Sequence, residues 1–233
     1  MHLPALVAYL QGLRENNNKA WFVMNKPAYD ILRAEFMVLV AAVIAGLSKH
    51  DQRIADVNPK KALFRIYRDI RFSNDKTPYK AYFSASIAEE GAKNSGPMYY
   101  LSINAEGNLH LGAGCYLPER DVLAALRRHV VADHAGLARI AKARRFVRTF
   151  GTLSQEDKLT RLPKGYDPGM PGIERFGESL KLKSFVVSAN FDLATGSHPD
   201  LAPTIVAAFA AALPLNDWLR EGLTTQLVAT PSV

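Results

Sequence analysis

Leu3, Leu6, Val7, Leu10 and Leu13 recur at three- and four-residue intervals. That spacing lines one face of a helix and predicts a short amphipathic helix over residues 3–15. The string ENNNKAWF then interrupts it, because the Asn16–Asn18 amides favour caps and turns. Pro27 fits the first turn of a second helix with Asn25 as its cap. This helix is predicted to run to about Lys49, with Leu32, Phe36, Leu39, Val43 and Leu47 as its core stripe and Ile44 widening it. Gly46 and SKHD end it.

The period then changes from 3.6 to 2. Ala81, Phe83, Ala85 and Ile87 alternate with polar neighbours, as do Tyr99, Leu101, Ile103 and Ala105, and then Leu109, Leu111 and Ala113. The connectors EEGAKNSGP and EGN suit hairpins, so three strands in an antiparallel meander are expected. The stretch from Phe64 is predicted as a fourth strand. FVVSANF, with Phe185, Val187, Ala189 and Phe191 on one face, is predicted as a fifth.

Pro118 opens a helix with Val122, Leu126 and Val130 as its stripe. A further helix is expected over Leu137 to Phe150, ended by Gly151. SQED, with Ser154 and Asp157, has the form of a capping box. RLPKGYDPGMPG reads as an irregular connector. SHPD (Ser197, Asp200), with Pro199 at the first helical position, opens a last helical region through Leu201, Ile205 and Phe209. Pro214 is expected to break it, leaving Trp218 and Leu219 to pack a final turn. Helices thus precede, interrupt and follow a run of strands. The class is α+β, with an antiparallel meander of about four to five strands packed by helices from both ends of the chain. A single domain is expected over residues 1–223, with 224–233 as a frayed tail.

Composition narrows the picture. At 233 residues and 48% hydrophobic, the chain can bury a core and is not disordered. The longest apolar run, Phe36 to Leu47, is twelve residues, well short of the roughly 20 that cross a bilayer. Residues Met1 to Asn17 show no secretory pattern. The one cysteine, Cys115, rules out an intramolecular disulfide and fits a reducing compartment. A cytoplasmic protein without membrane partners is expected. The net charge of +7 is concentrated: residues 60–80 carry seven Lys or Arg against two Asp, and residues 120–148 eight against two. Two basic segments on an otherwise mildly acidic chain point to an anionic partner, although solvated basic faces give the same count.

The first basic segment contains FRIYRDIRFSNDKTPYK, residues 64–80. Read as a strand, it puts Phe64, Ile66, Ile70 and Phe72 on one face and Arg65, Tyr67, Asp69 and Arg71 on the other. Arg68 falls on the apolar face, where a guanidinium requires a carboxylate, carbonyls or a ligand. A bulge near Tyr67 is the alternative. Ser73, Asn74, Asp75 and Pro78 then force a turn. The expected site is this connection. Arg65, Arg68, Arg71, Lys76 and Lys80 would hold an anion, Tyr67 or Tyr79 would pack its organic part, and Asp69 would orient an arginine or act as a base. The competing reading is a salt-bridged structural loop of a protein-interaction domain, in which Asp69 and Asp75 neutralise Arg68, Arg71 and Lys76. Two carboxylates cannot neutralise five cations, which favours the ligand.

FRIYRDIRFSNDKTPYK resembles the signature of a conserved, uncharacterised family of bacterial and fungal proteins, a domain of unknown function. ENNNKAWF, YYLSINAEGNLHLGAGCYLPERDVLAALRRHV, RLPKGYDP and PLNDWL resemble it in the same order, over nearly the whole chain. The resemblance implies a single domain of this architecture. It implies no activity and no catalytic role.

Other chemistries are weaker. GAG at 112–114 lacks the third glycine of a dinucleotide site, and no P-loop occurs. No histidine pair has i, i+4 spacing, and no cysteine pair exists, so metal binding is not expected. Cys115 reads as a small buried residue, His110 as a surface residue opposite Leu109 and Leu111, and Glu89 and Glu90 as hairpin-loop residues. ARIAKARRFVRTF places Arg139, Lys142 and Arg145 on one helical face, beside Arg144 and Arg148. With residues 60–80 this stripe could form a nucleic-acid surface. The leading expectation is binding, and conceivably turnover, of a phosphorylated or otherwise anionic small molecule.

Overall fold

A computed structural model describes residues 1–71, 73–89, 91, 96–193 and 201–227, with side chains to Thr224 in the last helix. Phe72, Glu90, most of the EEGAKNSGP connector and the whole SHPD start, His198 included, lie outside the described residues. The architecture is α+β, with a four-stranded antiparallel sheet in the order β1-β2-β3-β4. The strands are β1 (Tyr82–Ile87), β2 (Met98–Asn104), β3 (Asn108–Cys115) and β4 (Phe185–Asp192). The described chain clusters into two compact units. One holds Met1–Ala92, Tyr100–Leu111 and Asn190–Ala207, and the other Lys93–Tyr99, Gly112–Ala189 and Ala208–Val233.

In the first unit, α1 (Leu3–Glu15), α2 (Lys19–Met24) and α3 (Lys26–Leu47) precede the short α4 (Pro59–Ala62). The Asn18 side chain accepts from Trp21 N at 3.0 Å and caps α2, so ENNNKAWF is a cap and a helix rather than a plain break. Every stripe position expected in α3 is buried, from Leu32 to Leu47. Phe83, Ala85, Leu101, Ile103, Leu109 and Leu111 are buried on the apolar side of the sheet, as their alternation requires. The hairpin between β2 and β3 turns at Gly107, at φ +78. The Asn104 side chain accepts there from Glu106 N and Asn108 N.

In the second unit, α5 (Arg120–Ala132) starts just after Pro118, and Leu126 and Val130 are buried. The helix expected over Leu137 to Phe150 is two helices, α6 (His134–Lys142) and α7 (Arg144–Phe150), separated by an extended Ala143. Helical phase explains the break. Phe146 follows Leu137 by nine residues, so at about 100° each it would point half a turn away in one continuous helix. The break buries both residues. Gly114 approaches Phe185 so closely that a Cβ would stand 2.0 Å from its carbonyl oxygen, and its φ is +117; both features require glycine.

Two further expectations fail. SQED caps no helix. Ser154 only accepts from Glu156 N at 3.3 Å, Asp157 is left-handed at φ +56, and the proline-rich connector that follows prevents helix growth. The next helix, α8 (Ile173–Leu180), buries Phe176 and Leu180 and was hidden behind those prolines. Pro214 breaks nothing: α9 runs from Leu201 to Leu227 with Pro214 inside. Burial on both sides of it, at Ile205, Phe209, Leu215, Trp218 and Leu219, outweighs the lost hydrogen bond. By length and composition α9 alone among the described helices could cross a membrane, and 44% of its most apolar window is buried.

Candidate functional site

Residues 63–80 form no continuous strand. Leu63 bridges Ala85 on β1, and Phe64 N donates to Ser84 O at 3.0 Å. The chain then pairs with its own return. Arg68 N donates to Pro78 O at 2.9 Å, and Lys80 N to Ile66 O at 2.8 Å, around an isolated bridge between Tyr67 and Tyr79. Pro78 has no N–H to extend the ladder. In this register the N–H and C=O of Tyr79 face away from the arm, and the Asn17 amide meets both. It accepts from Tyr79 N at 3.0 Å and donates to Tyr79 O at 2.9 Å. The alternation survives without the ladder, since Ile66 is buried while Arg65, Tyr67 and Asp69 are exposed.

The charges of this arm are only partly spent on one another. Arg68, 27% exposed at its side chain, lies between the Asp75 carboxylate and the Thr77 hydroxyl, donating to the latter at 2.5 Å. Asp75 also accepts from Thr77 N and from the Thr77 hydroxyl. These bonds, the backbone one foremost, hold its pKa at about 2. Arg71 grips Asp69 with two prongs, at 2.9 and 2.7 Å, and draws its pKa down to about 2. A carboxylate so acidic is a poor base, so Asp69 serves here as the partner of Arg71. Lys76 Nζ donates to Ile70 O at 3.0 Å. The Tyr79 ring is buried and stacked on Phe22 at 4.3 Å. Tyr67, 51% exposed, leans on Phe22 and Tyr79.

Arg65 and Lys80 remain; among the described residues neither shows a hydrogen-bonded carboxylate, although the Arg65 charge, after Arg71, helps to draw down the Asp69 pKa. Lys80 Nζ stands 5.3 Å from the Phe64 ring centre and 5.9 Å from that of Tyr82. Burial, and then the neighbouring Arg65 charge, lower its pKa. Arg65 helps to line a shallow, open groove whose enclosed space is only about 10 Å³, room for about one water, so a larger ligand would lie partly in solvent. Its walls are Tyr29, Arg33 and Phe36 of α3, residues 63–66 of the arm, and Tyr82, Phe83 and Ser84 of β1. Arg33 hydrogen-bonds the Tyr29 phenol, whose pKa is nevertheless raised, mainly by burial. The described lining of the groove therefore includes two arginines and aromatic side chains and no carboxylate. Arg68, Arg71 and Lys76 are not part of that lining.

Arg33 is the residue that sequence reasoning missed. It lies one turn after Tyr29 and beside the buried stripe of Leu32 and Phe36. A cation flanking a core stripe is the signal that marks it.

A family model described as a conserved hypothetical protein, DUF2461, matches residues 5–218. The chain belongs to the DUF2461 family. No curated protein and no solved structure matches it. The matched span includes every lining residue of the groove and the whole of FRIYRDIRFSNDKTPYK. The DUF2461 description carries no activity, so chemical roles rest on the side chains themselves.

Elsewhere in this DUF2461 chain, His110 is part-exposed on β3 and its Nδ1 lies 2.7 Å from Asn190 Oδ1. Cys115 is buried, and burial pushes its thiol up to about 12, so it is protonated and inert near neutral pH. The break at Ala143 separates Arg139 and Lys142 on α6 from Arg144, Arg145 and Arg148 on α7, so these residues form no stripe along one helix. The two basic segments belong to different units.

Proposed function

We propose that this protein binds a small anionic molecule in the groove between α3 and the arm of residues 63–66. Arg33 and Arg65 grip the anion, because guanidinium groups recognise phosphate and carboxylate through paired N–H donors. Tyr29, Phe64 and Tyr82 frame the organic part. The observation that carries this reading is the pairing of two arginines in one concave lining with no acidic residue there. Two like charges facing a common space are stabilised when an anion enters it. Arg68 and Arg71, each held by a carboxylate, support the arm rather than the ligand.

The test is a thermal-shift screen of the full chain against inorganic phosphate, sugar phosphates, nucleotides, di- and tricarboxylates and oligonucleotides, at low and moderate salt. A ligand present at about 100 times its Kd adds roughly 2.7 kcal/mol. The reading stands if a small anion raises Tm and Arg33→Ala and Arg65→Ala each abolish the shift while remaining folded. It falls if no small anion shifts Tm. It also falls if oligonucleotides alone do so and Arg139→Ala with Arg145→Ala, not the groove variants, removes that effect.

A further inference from the structure

A row of rings leads from this groove across the polar face of the sheet, within the same unit. Phe64 lines the groove and lies under Lys80. The Phe64 ring is 6.2 Å from that of Tyr100, tilted by 53°. Tyr100 is in turn 6.1 Å from His110, at 64°. Tyr100, part-exposed on β2, is thus flanked by two tilted rings, which makes a slot rather than a flat plate. The far wall is held in place: His110 Nδ1 lies 2.7 Å from Asn190 Oδ1. Tyr82, 38% exposed, borders the row, and its pKa is raised by burial and then by the Tyr100 phenol. The neighbouring polar positions Ser84, Ser86 and Ser102 are buried and small, so they do not crowd the rings.

Aromatic rings beside unpaired cations do two separate jobs. The rings stack on a planar π-system, and the cations hold a phosphate. Here Lys80 stands over the Phe64 ring that neighbours Tyr100, and Arg65 lines the groove beside Phe64. In a nucleotide, the phosphate stands one sugar away from the base. We infer that the ligand of the groove is a nucleotide, with its phosphate at Arg33 and Arg65, Lys80 beside it, and its base on Tyr100 between Phe64 and His110. This inference rests on the groove reading above and adds the ring and its place. The His110 ring would close one side of the base. The same chemistry is presented by a free mononucleotide and by a nucleotide within a single strand.

The experiment is equilibrium titration of the full chain with inorganic phosphate, ribose 5-phosphate, adenosine 5′-monophosphate and a short oligoadenylate, repeated on Tyr100→Leu and Arg65→Ala. The monophosphate is expected to bind about tenfold more tightly than ribose 5-phosphate, a typical stacking contribution. Tyr100→Leu should erase that difference and leave ribose 5-phosphate binding in place. Arg65→Ala should weaken both. An oligoadenylate bound no more tightly than the monophosphate identifies a free nucleotide. One bound at least tenfold more tightly, with steep salt dependence, identifies a strand, and both outcomes support the slot. Equal binding of ribose 5-phosphate and the monophosphate, both dependent on Arg65, overturns the inference and leaves the groove reading intact. Binding of none of the four overturns the nucleotide, and the wider anion screen then decides the groove by itself. If Tyr100→Leu does not fold, His110→Ala removes the other wall of the slot and is held to the same difference.

Discussion

Asn17 exchanges two hydrogen bonds with the backbone of Tyr79, through both ends of its side-chain amide and across 62 positions of sequence. The amide takes the place of a neighbouring strand for one residue. It fastens the return limb of the arm to the turn between α1 and α2. Asn17→Ala leaves a part-buried N–H and C=O without partners, which costs about 1–3 kcal/mol. Asn17→Asp keeps the acceptor and loses the donor, and places a carboxylate against a carbonyl oxygen. Chemical denaturation should show both variants destabilised.

The Asp75 clasp gives the arm an acid limit. Its folded pKa of about 2 lies below the ordinary carboxylate value of 3.8. A depressed carboxylate contributes stability above its unfolded pKa and loses it as pH falls through the folded one. The arm is therefore expected to loosen as pH drops from about 4 towards 2, read as faster amide exchange at Arg68 and Thr77. Asp75→Asn should exchange faster at neutral pH and lose this acid dependence.

Arg65 and Arg68 should separate function from structure. Arg68 is part-buried and bonded to both Asp75 and Thr77, so Arg68→Ala should lower stability measurably, although Asp75 keeps its bonds from Thr77. Arg65 is exposed, and no hydrogen-bonded carboxylate is seen on it among the described residues. Arg65→Ala should stay within about 0.5 kcal/mol of the parent while losing anion binding. Unfolding curves and ligand titrations on both variants check the contrast.

Pro214 is exposed in the interior of α9. Replacing it by alanine restores a backbone donor and removes a clash, changes worth up to about 3 kcal/mol in a helix. Pro214→Ala should raise Tm. A lowered Tm would mean that the surrounding core is packed around the bend that proline imposes.

Much of the fold was written in periodicity. The stripe from Leu32 to Leu47 and the alternations around Phe83, Leu101, Leu109 and Val187 are local patterns, and their burial follows from one face meeting a core. What escaped was decided elsewhere in the chain. The arm beyond Phe64 alternates like a strand, yet its partners are its own return limb and a distant asparagine. Pro214 is tolerated because of residues packed around it. The split at Ala143 was legible in the opposed phases of Leu137 and Phe146, but only by tracking phase rather than composition. For the candidate site, sequence pointed to the segment 65–80 but over-counted its free cations, because which of five meets which carboxylate depends on the turn. Arg33 came from a helix that had been read only for its apolar side.

The pairing of Leu63 with Ala85 and of Phe64 with Ser84 has a further consequence. β1 is an outermost strand of the sheet, and bare strand margins are templates on which other chains add and precipitate. The arm lies along that margin and denies it to a second molecule. Conditions that release the arm should therefore make this protein self-associate by strand addition, well before its core has melted.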